Sequence, residues 1–255
     1  MNNTNYINTR YKRKKSAKAG KIFIIFVFGC FFTSLVFLAS VLSNVLSISD
    51  WGLFNTVSVE ANTLYCVTYG QYETENSAII QSEYIRTKGG AGLIYKNGET
   101  YTILLSGYLD KQTCQKVYDK NIENFDKLHQ LSISLSSENI KHSKSTKNIS
   151  SLENIVKLPL TTFKRLQEIC NNLDGGHCTS QQAYNQLFNV SYDINNVIQD
   201  FEKSSMLTSK QDYDSLLQTA KNIYSKVNNL ILSTAKSDLS WKIKYYALDI
   251  ILLAS

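Results

Sequence analysis

The sequence predicts an α+β chain: a transmembrane helix, then a split βαβ module with an antiparallel sheet, then a C-terminal helical hairpin or bundle. Three observations carry this expectation. No charged residue falls between Lys21 and Asp50. Between Asn62 and Ser136, short β-rich runs alternate with helical spacing in the order β-α-β-β-α-β. From Pro159 onward, apolar residues recur at helical spacing almost without interruption.

The formal net charge is +6, from 27 basic and 21 acidic residues, but it is not evenly spread. Residues 1–21 hold Arg10, Lys12, Arg13, Lys14, Lys15, Lys18 and Lys21, and no acid. Setting those seven aside leaves 20 basic residues against 21 acidic ones. The excess therefore belongs to the tail rather than to a folded basic face, and no nucleic-acid partner is expected. The uncharged run at 22–46 has the roughly 20 apolar residues that a helix needs to cross hydrocarbon. With a basic flank before it, the run reads as a signal anchor. Its tail (1–21) would be cytoplasmic and its C-terminal ectodomain extracytoplasmic, as in a single-pass cell-membrane protein. A cleaved signal peptide would have a shorter apolar region, and the small-residue site Val59-Glu60-Ala61 lies far downstream of it.

Residues 47–61 read as a stalk. Leu64–Tyr69 is rich in β-branched and aromatic residues, as strands are. Glu73–Lys88 carries Ala78, Ile79, Ile80 and Ile85 at helical spacing, and Gly89-Gly90 stops it. Gly92–Lys96 and Thr100–Leu105 are apolar β-rich runs flanking Asn97-Gly98, a hairpin signal because both residues tolerate positive φ. Asp110 is the expected N-cap of a helix reaching Leu128, and Leu131–Leu135 alternates as a strand does. Residues 137–158 are polar and read as a linker before the helical region, 159–255. Segments 160–173, 180–201, 209–233 and 238–253 are the expected helices.

Five cysteines are present. Cys30 sits in the apolar run. Cys66, Cys114, Cys170 and Cys178 can form two disulfides in three connectivities or remain free thiols. A metal site at Cys170, His177 and Cys178 lacks a fourth ligand and the usual spacing. No nucleophile motif, phosphate loop or dinucleotide fingerprint occurs, so neither enzymatic activity nor a cofactor is expected.

Tyr65-Cys66-Val67-Thr68-Tyr69-Gly70-Gln71-Tyr72 is echoed 36 residues later by Tyr101-Thr102-Ile103-Leu104-Leu105-Ser106-Gly107-Tyr108. Each copy is a strand, small residues, an aromatic, then a helix. This repeat resembles the SPOR (sporulation-related) domain family, whose halves read Tyr-x-Val-Gln-x-Gly-x-Phe and Tyr-Arg-Val-x-x-Gly-Pro-Phe. The resemblance covers residues 62–136. It departs from the family at Thr68 (usually Gln), Ser106 (usually Gly), Gly107 (usually Pro) and Thr102 (usually basic). It implies a non-enzymatic cell-envelope protein that binds peptidoglycan glycan strands through the open sheet face, in cell division or at the sporulation septum.

Side chains alternate across a strand, so Tyr65, Val67 and Tyr69 share one face and Cys66 and Thr68 the other. The resemblance puts the second set on the open face, with Cys66, Thr68, Tyr95, Thr102 and Leu104 as the expected glycan-binding residues. An envelope protein partner is expected through the helical region. The alternative is a membrane-anchored protein-interaction scaffold that keeps the fold but has lost glycan binding, its neutral face covered by the C-terminal helices or by another protein.

Overall fold

The computed structural model describes residues 54–143, 149–204, 208–233 and 238–254. From Phe54 onward the chain forms one compact unit. Strands β1 (Phe54–Val59) and β2 (Thr63–Tyr72) come first, then helix α1 (Glu75–Thr87). β3 (Leu93–Asn97), β4 (Thr100–Tyr108), α2 (Lys111–Asn121), β5 (Leu128–Ser134) and β6 (Glu138–Ser143) follow. The remainder is helical: α3 (Ile149–Val156), α4 (Leu158–Asp174), α5 (Ser180–Lys203), α6 (Lys210–Ser233) and α7 (Leu239–Ile251).

β2, β3, β4 and β5 form an antiparallel sheet in the order β3-β4-β2-β5. The two repeat copies are its central pair, with Tyr65 opposite Tyr108 and Tyr72 opposite Tyr101. Gly70 does not end the first copy's strand. It sits inside β2 at a register shift with φ +61°, and its N–H donates to the Lys127 carbonyl at 3.0 Å. A side chain there would strain the backbone and collide with Tyr72, whose hydroxyl lies 2.5 Å from where a Cβ would stand. The β3–β4 hairpin also differs from expectation. Asn97 pairs with Thr100, which leaves Gly98-Glu99 as the turn, and Gly98 alone takes positive φ, the pattern of a type II′ turn.

α1 and α2 cover one face of this sheet. Thr74 caps α1 by accepting from the Ser77 N–H, and Asp110 caps α2 by accepting from the N–H groups of Gln112 and Thr113. Ala78, Ser82 and Ile85 form the buried stripe of α1, and Ala78, Ile85 and Cys114 of α2 pack into one core with Val67, Tyr69, Ile103 and Leu105. The tyrosines of the repeat are therefore largely core residues of this layer.

The C-terminal helices cover the other face. α4, α5, α6 and α7 close a ring in which α4 meets α5 and α7, and α6 meets α5 and α7. α5 opens with a capping box. Thr179 accepts from the Gln182 N–H at 3.2 Å, and the Gln182 side chain accepts from the Thr179 N–H at 2.8 Å. α7 lies on the sheet, and its Leu248, Ile243 and Ala247 belong to the same core as Leu64, Cys66, Leu93, Leu104 and Ile133. Asp249, which breaks the apolar pattern of α7, is ion-paired with Lys226 of α6.

Polar contacts hold the rim of this seam. Gln167 of α4 donates to the Gly107 carbonyl at 2.7 Å. The Lys244 ammonium of α7 donates to the Gly89 carbonyl at 2.9 Å and pairs with Asp174 of α4 at 2.7 Å. The Arg86 guanidinium of α1 reaches the rings of Trp241 and Tyr245, 5.3 Å from each centroid. At Gly107 the sheet backbone itself is the packing surface. A Cβ there would stand 2.6 Å from Leu248 Cδ2 and 3.2 Å from Leu64 Cδ1.

Three expectations are corrected. Strand β1 lies in the segment expected as a stalk. It pairs antiparallel with β6, which together with α3 lies in the segment expected as a linker. Val57 and Ile140 stand opposite each other and pack into the bundle-side core, which is why both segments are ordered into strands. The fold class is a mixed α+β arrangement with two sheets and seven α-helices among the described residues. Among the described residues no helix is long and apolar enough to cross a membrane. The apolar α7 has 13 residues, about 20 Å at 1.5 Å per residue, and carries Lys242, Lys244 and Asp249. The expected transmembrane helix (22–46), the basic tail (1–21) and the single-pass membrane location that rested on them find no support among the described residues, outside which both segments lie.

Two substitutions test the seam. Gly107→Val inserts three carbons where α7 touches the sheet and is expected to cost about 1–3 kcal/mol in chemical denaturation. Lys244→Met removes the Gly89 and Asp174 contacts and is expected to cost about 1 kcal/mol at pH 7. Burial works to lower the Lys244 pKa, but the Cys170 sulfur and Asp174 outweigh it and the net shift is upward. Its stabilisation is thus complete below the unfolded lysine value of 10.5 and is lost as pH rises beyond it. The gap between wild type and Lys244→Met should stay constant at neutral pH and close above about 10.5, as denaturation midpoints across that range would show.

Candidate functional site

Alternation along β2 works as the sequence implies. Tyr65, Val67 and Tyr69 lie on the α1–α2 side, and Leu64 and Cys66 on the other. The expected glycan-binding residues do converge on that second face. Thr68 pairs with Leu104, Tyr95 with Thr102, and Leu104 also with Leu93. The structure brings the set together, but beneath the helical bundle rather than in an open groove.

Each member is placed by a strand of the sheet. Cys66 and Leu104 are 0% exposed and belong to the core shared with α7. Thr68 is 2% exposed, and its hydroxyl is spent on the His129 carbonyl of β5 at 3.3 Å. Thr102 is 3% exposed, and its hydroxyl has no hydrogen-bond partner among the described residues. Tyr95, on edge strand β3, is half-buried against the same core. Between sheet and bundle lies a gap of about 30 Å³ beside Gly107, Gln167, Cys170 and Lys244. That holds about one water and no sugar ring.

Burial also sets the chemistry of the thiols. Among the described residues Cys66, Cys114, Cys170 and Cys178 are all free. Cys66 faces the bundle while Cys114 faces the sheet from α2, on opposite sides of β2. Burial, and secondarily the neighbouring Cys114, pushes the Cys66 thiol up to about 12. Burial pushes Cys114 and Cys170 up to about 11. These three are protonated, unreactive core residues near neutral pH. Among the described residues no group of three or more His, Cys, Asp or Glu is placed to hold a metal ion.

The residues that decide the fate of this face were absent from the expected site: Gly107, Gln167, Lys244 and Leu248. A signal for them exists in the sequence. Ile103-Leu104-Leu105 is a continuous apolar run in β4, and a strand with one wet face would alternate. Leu64, Leu93 and Ile133 extend the same apolar face.

No protein-family model matches the chain, and no curated protein matches it. A weak structural neighbour is the solution structure of the peptidoglycan binding domain of the B. subtilis cell wall lytic enzyme CwlC. It is 16% identical, covers 31% of this chain and 96% of that domain, and has a TM-score of 0.25.

Thiol labelling tests the buried face. At pH 8 in native buffer, iodoacetamide is expected to modify Cys178, which is half-buried, and to leave Cys66, Cys114 and Cys170 intact until denaturant is added. Peptide mass spectrometry reads the pattern, and native labelling of Cys66 would mean that the bundle leaves the sheet.

Proposed function

We propose that this chain is a non-catalytic interaction scaffold: a SPOR-like sheet whose glycan-type face has become the seat of its own helical bundle. The observation that carries this reading is the burial of Cys66, Thr68, Thr102 and Leu104, with Cys66 and Leu104 in one core with α7. Glycan binding needs accessible hydroxyl partners and a ring platform. Here one threonine hydroxyl is bonded to backbone, the other is enclosed, and the remaining groups are core. Under this reading the partner is a protein, met on the outer surfaces of the sheet-and-bundle body.

A second reading is binding to the glycan strands of peptidoglycan, in a cell-division or sporulation role. Strand order β3-β4-β2-β5 with both helices on one face favours it, since that is the arrangement the SPOR resemblance implies. It requires either a surface other than the buried face or departure of the bundle.

Co-sedimentation separates the two. The purified chain is mixed with intact sacculi and with amidase-treated sacculi whose glycan is stripped of stem peptides. The scaffold reading expects pelleting with neither above the background of an unrelated protein. Selective pelleting with stripped glycan would sink it in favour of the glycan reading.

A further inference from the structure

The sheet's other side carries an open depression of about 660 Å³, between α1 and the segment joining α2 to β5. Its floor is aromatic. The Tyr69 ring lies 6.4 Å from Tyr84 and 6.0 Å from Phe125, centroid to centroid. Ile80 of α1 and Ile122 just beyond α2 form its banks, 69% and 48% exposed, and Tyr84 is 42% exposed. Three of the eight exposed large apolar side chains among the described residues, Ile80, Tyr84 and Ile122, line this one depression. Clustered exposure of that kind, edged by polar groups, marks a place where another molecule docks.

The polar edge has a sign. Glu123 and Asp126 line the depression, and no lysine or arginine does. Among the described residues neither carboxylate has an ion-pair partner. The Tyr69 hydroxyl donates to Asp126 Oδ1 at 3.0 Å, which orients that carboxylate and leaves it spare acceptor capacity. Burial, followed by that hydrogen bond, pushes the Tyr69 phenol up to about 12, so it stays a donor throughout the physiological range. Lys88 lies 5.7 Å from the Tyr84 ring, and Lys127 follows Asp126 in the chain.

The geometry points to a docking site for a basic, apolar peptide segment of a partner protein: one carrying a lysine or arginine next to a large apolar side chain. The apolar residue covers the Tyr84–Phe125 floor between Ile80 and Ile122, and the cation meets Asp126 and Glu123. An acidic segment would face two like charges there. A sugar fits less well, because the isoleucine banks offer its hydroxyls no hydrogen-bond partner. This inference rests on the scaffold reading and gives it an address.

The test is panning of the immobilised full-length chain against a phage-displayed random peptide library, followed by titration with an enriched synthetic peptide. Expected are sequences that place Lys or Arg within one or two positions of a large apolar residue. Binding should weaken about tenfold or more in Ile80→Glu and in Glu123→Lys, both exposed positions whose folding circular dichroism verifies. Leu232→Glu, at an exposed apolar position on α6, should bind as wild type does. No enrichment, enriched acidic sequences, or binding unchanged in both variants would overturn the site. In the last case the scaffold reading survives, whereas selective pelleting with stripped glycan would remove that reading whatever the peptides do. Chitotetraose is titrated in parallel, and sugar binding abolished by Ile80→Glu would replace the peptide by a glycan.

Discussion

Where Leu248 lies against Gly107, a helix side chain meets sheet backbone with nothing between them. The other placements follow from that approach. It brings α7 close enough for Lys244 to reach the Gly89 carbonyl and for Trp241 and Tyr245 to receive Arg86. It sets α4 at the distance from which Gln167 reaches the Gly107 carbonyl. Because α4 and α7 are two sides of the helical ring, fixing them on the sheet orients α5 and α6 as well. A proline in place of Gly107, as the resembled family usually has, would fill the space Leu248 uses.

The seam has the character of a core. Leu64, Leu93, Leu104 and Ile133 each bury a side chain worth about 1.5–3 kcal/mol when removed from water. Exposing those four alone would cost on the order of 10 kcal/mol, an upper estimate comparable with the whole stability of a typical domain. A ligand that needed this face would have to supply that difference on top of its own affinity. The bundle is thus poorly suited to act as a gate, and surfaces already facing solvent are better placed to meet partners.

Much of the sheet was legible in the residues, because its signals are local. The repeat announced the central strand pair, alternation sorted Tyr65, Val67 and Tyr69 from Cys66, and Asp110 announced the start of α2. The failures were of longer range. β1 and β6 are six-residue strands whose partners lie some 80 positions apart, and neither has a pattern distinguishable from a polar linker. Asn97-Gly98 signalled a hairpin correctly, but strand register gave Asn97 to the ladder. Thr68, Tyr95, Thr102 and Leu104 share a face, as alternation implies, but a strand's sequence says which residues share a face and not what covers it. Only the unbroken Ile103-Leu104-Leu105 run hinted that both faces were dry. The site residues Ile80, Tyr84, Ile122 and Asp126 come from separate elements, and no spacing in the sequence connects them.

The order in which the chain is made gives the seam a further consequence. The sheet is complete once β5 has emerged, yet α7 is the last of the described helices to leave the ribosome. At roughly 5–20 residues per second, the apolar face of Leu64, Leu93 and Leu104 waits on the order of ten seconds for its cover. For that interval the newborn protein presents a sticky, half-finished surface next to its neighbours on the polysome. Anything that truncates or delays the C-terminal helices turns a folding step into an opportunity for aggregation.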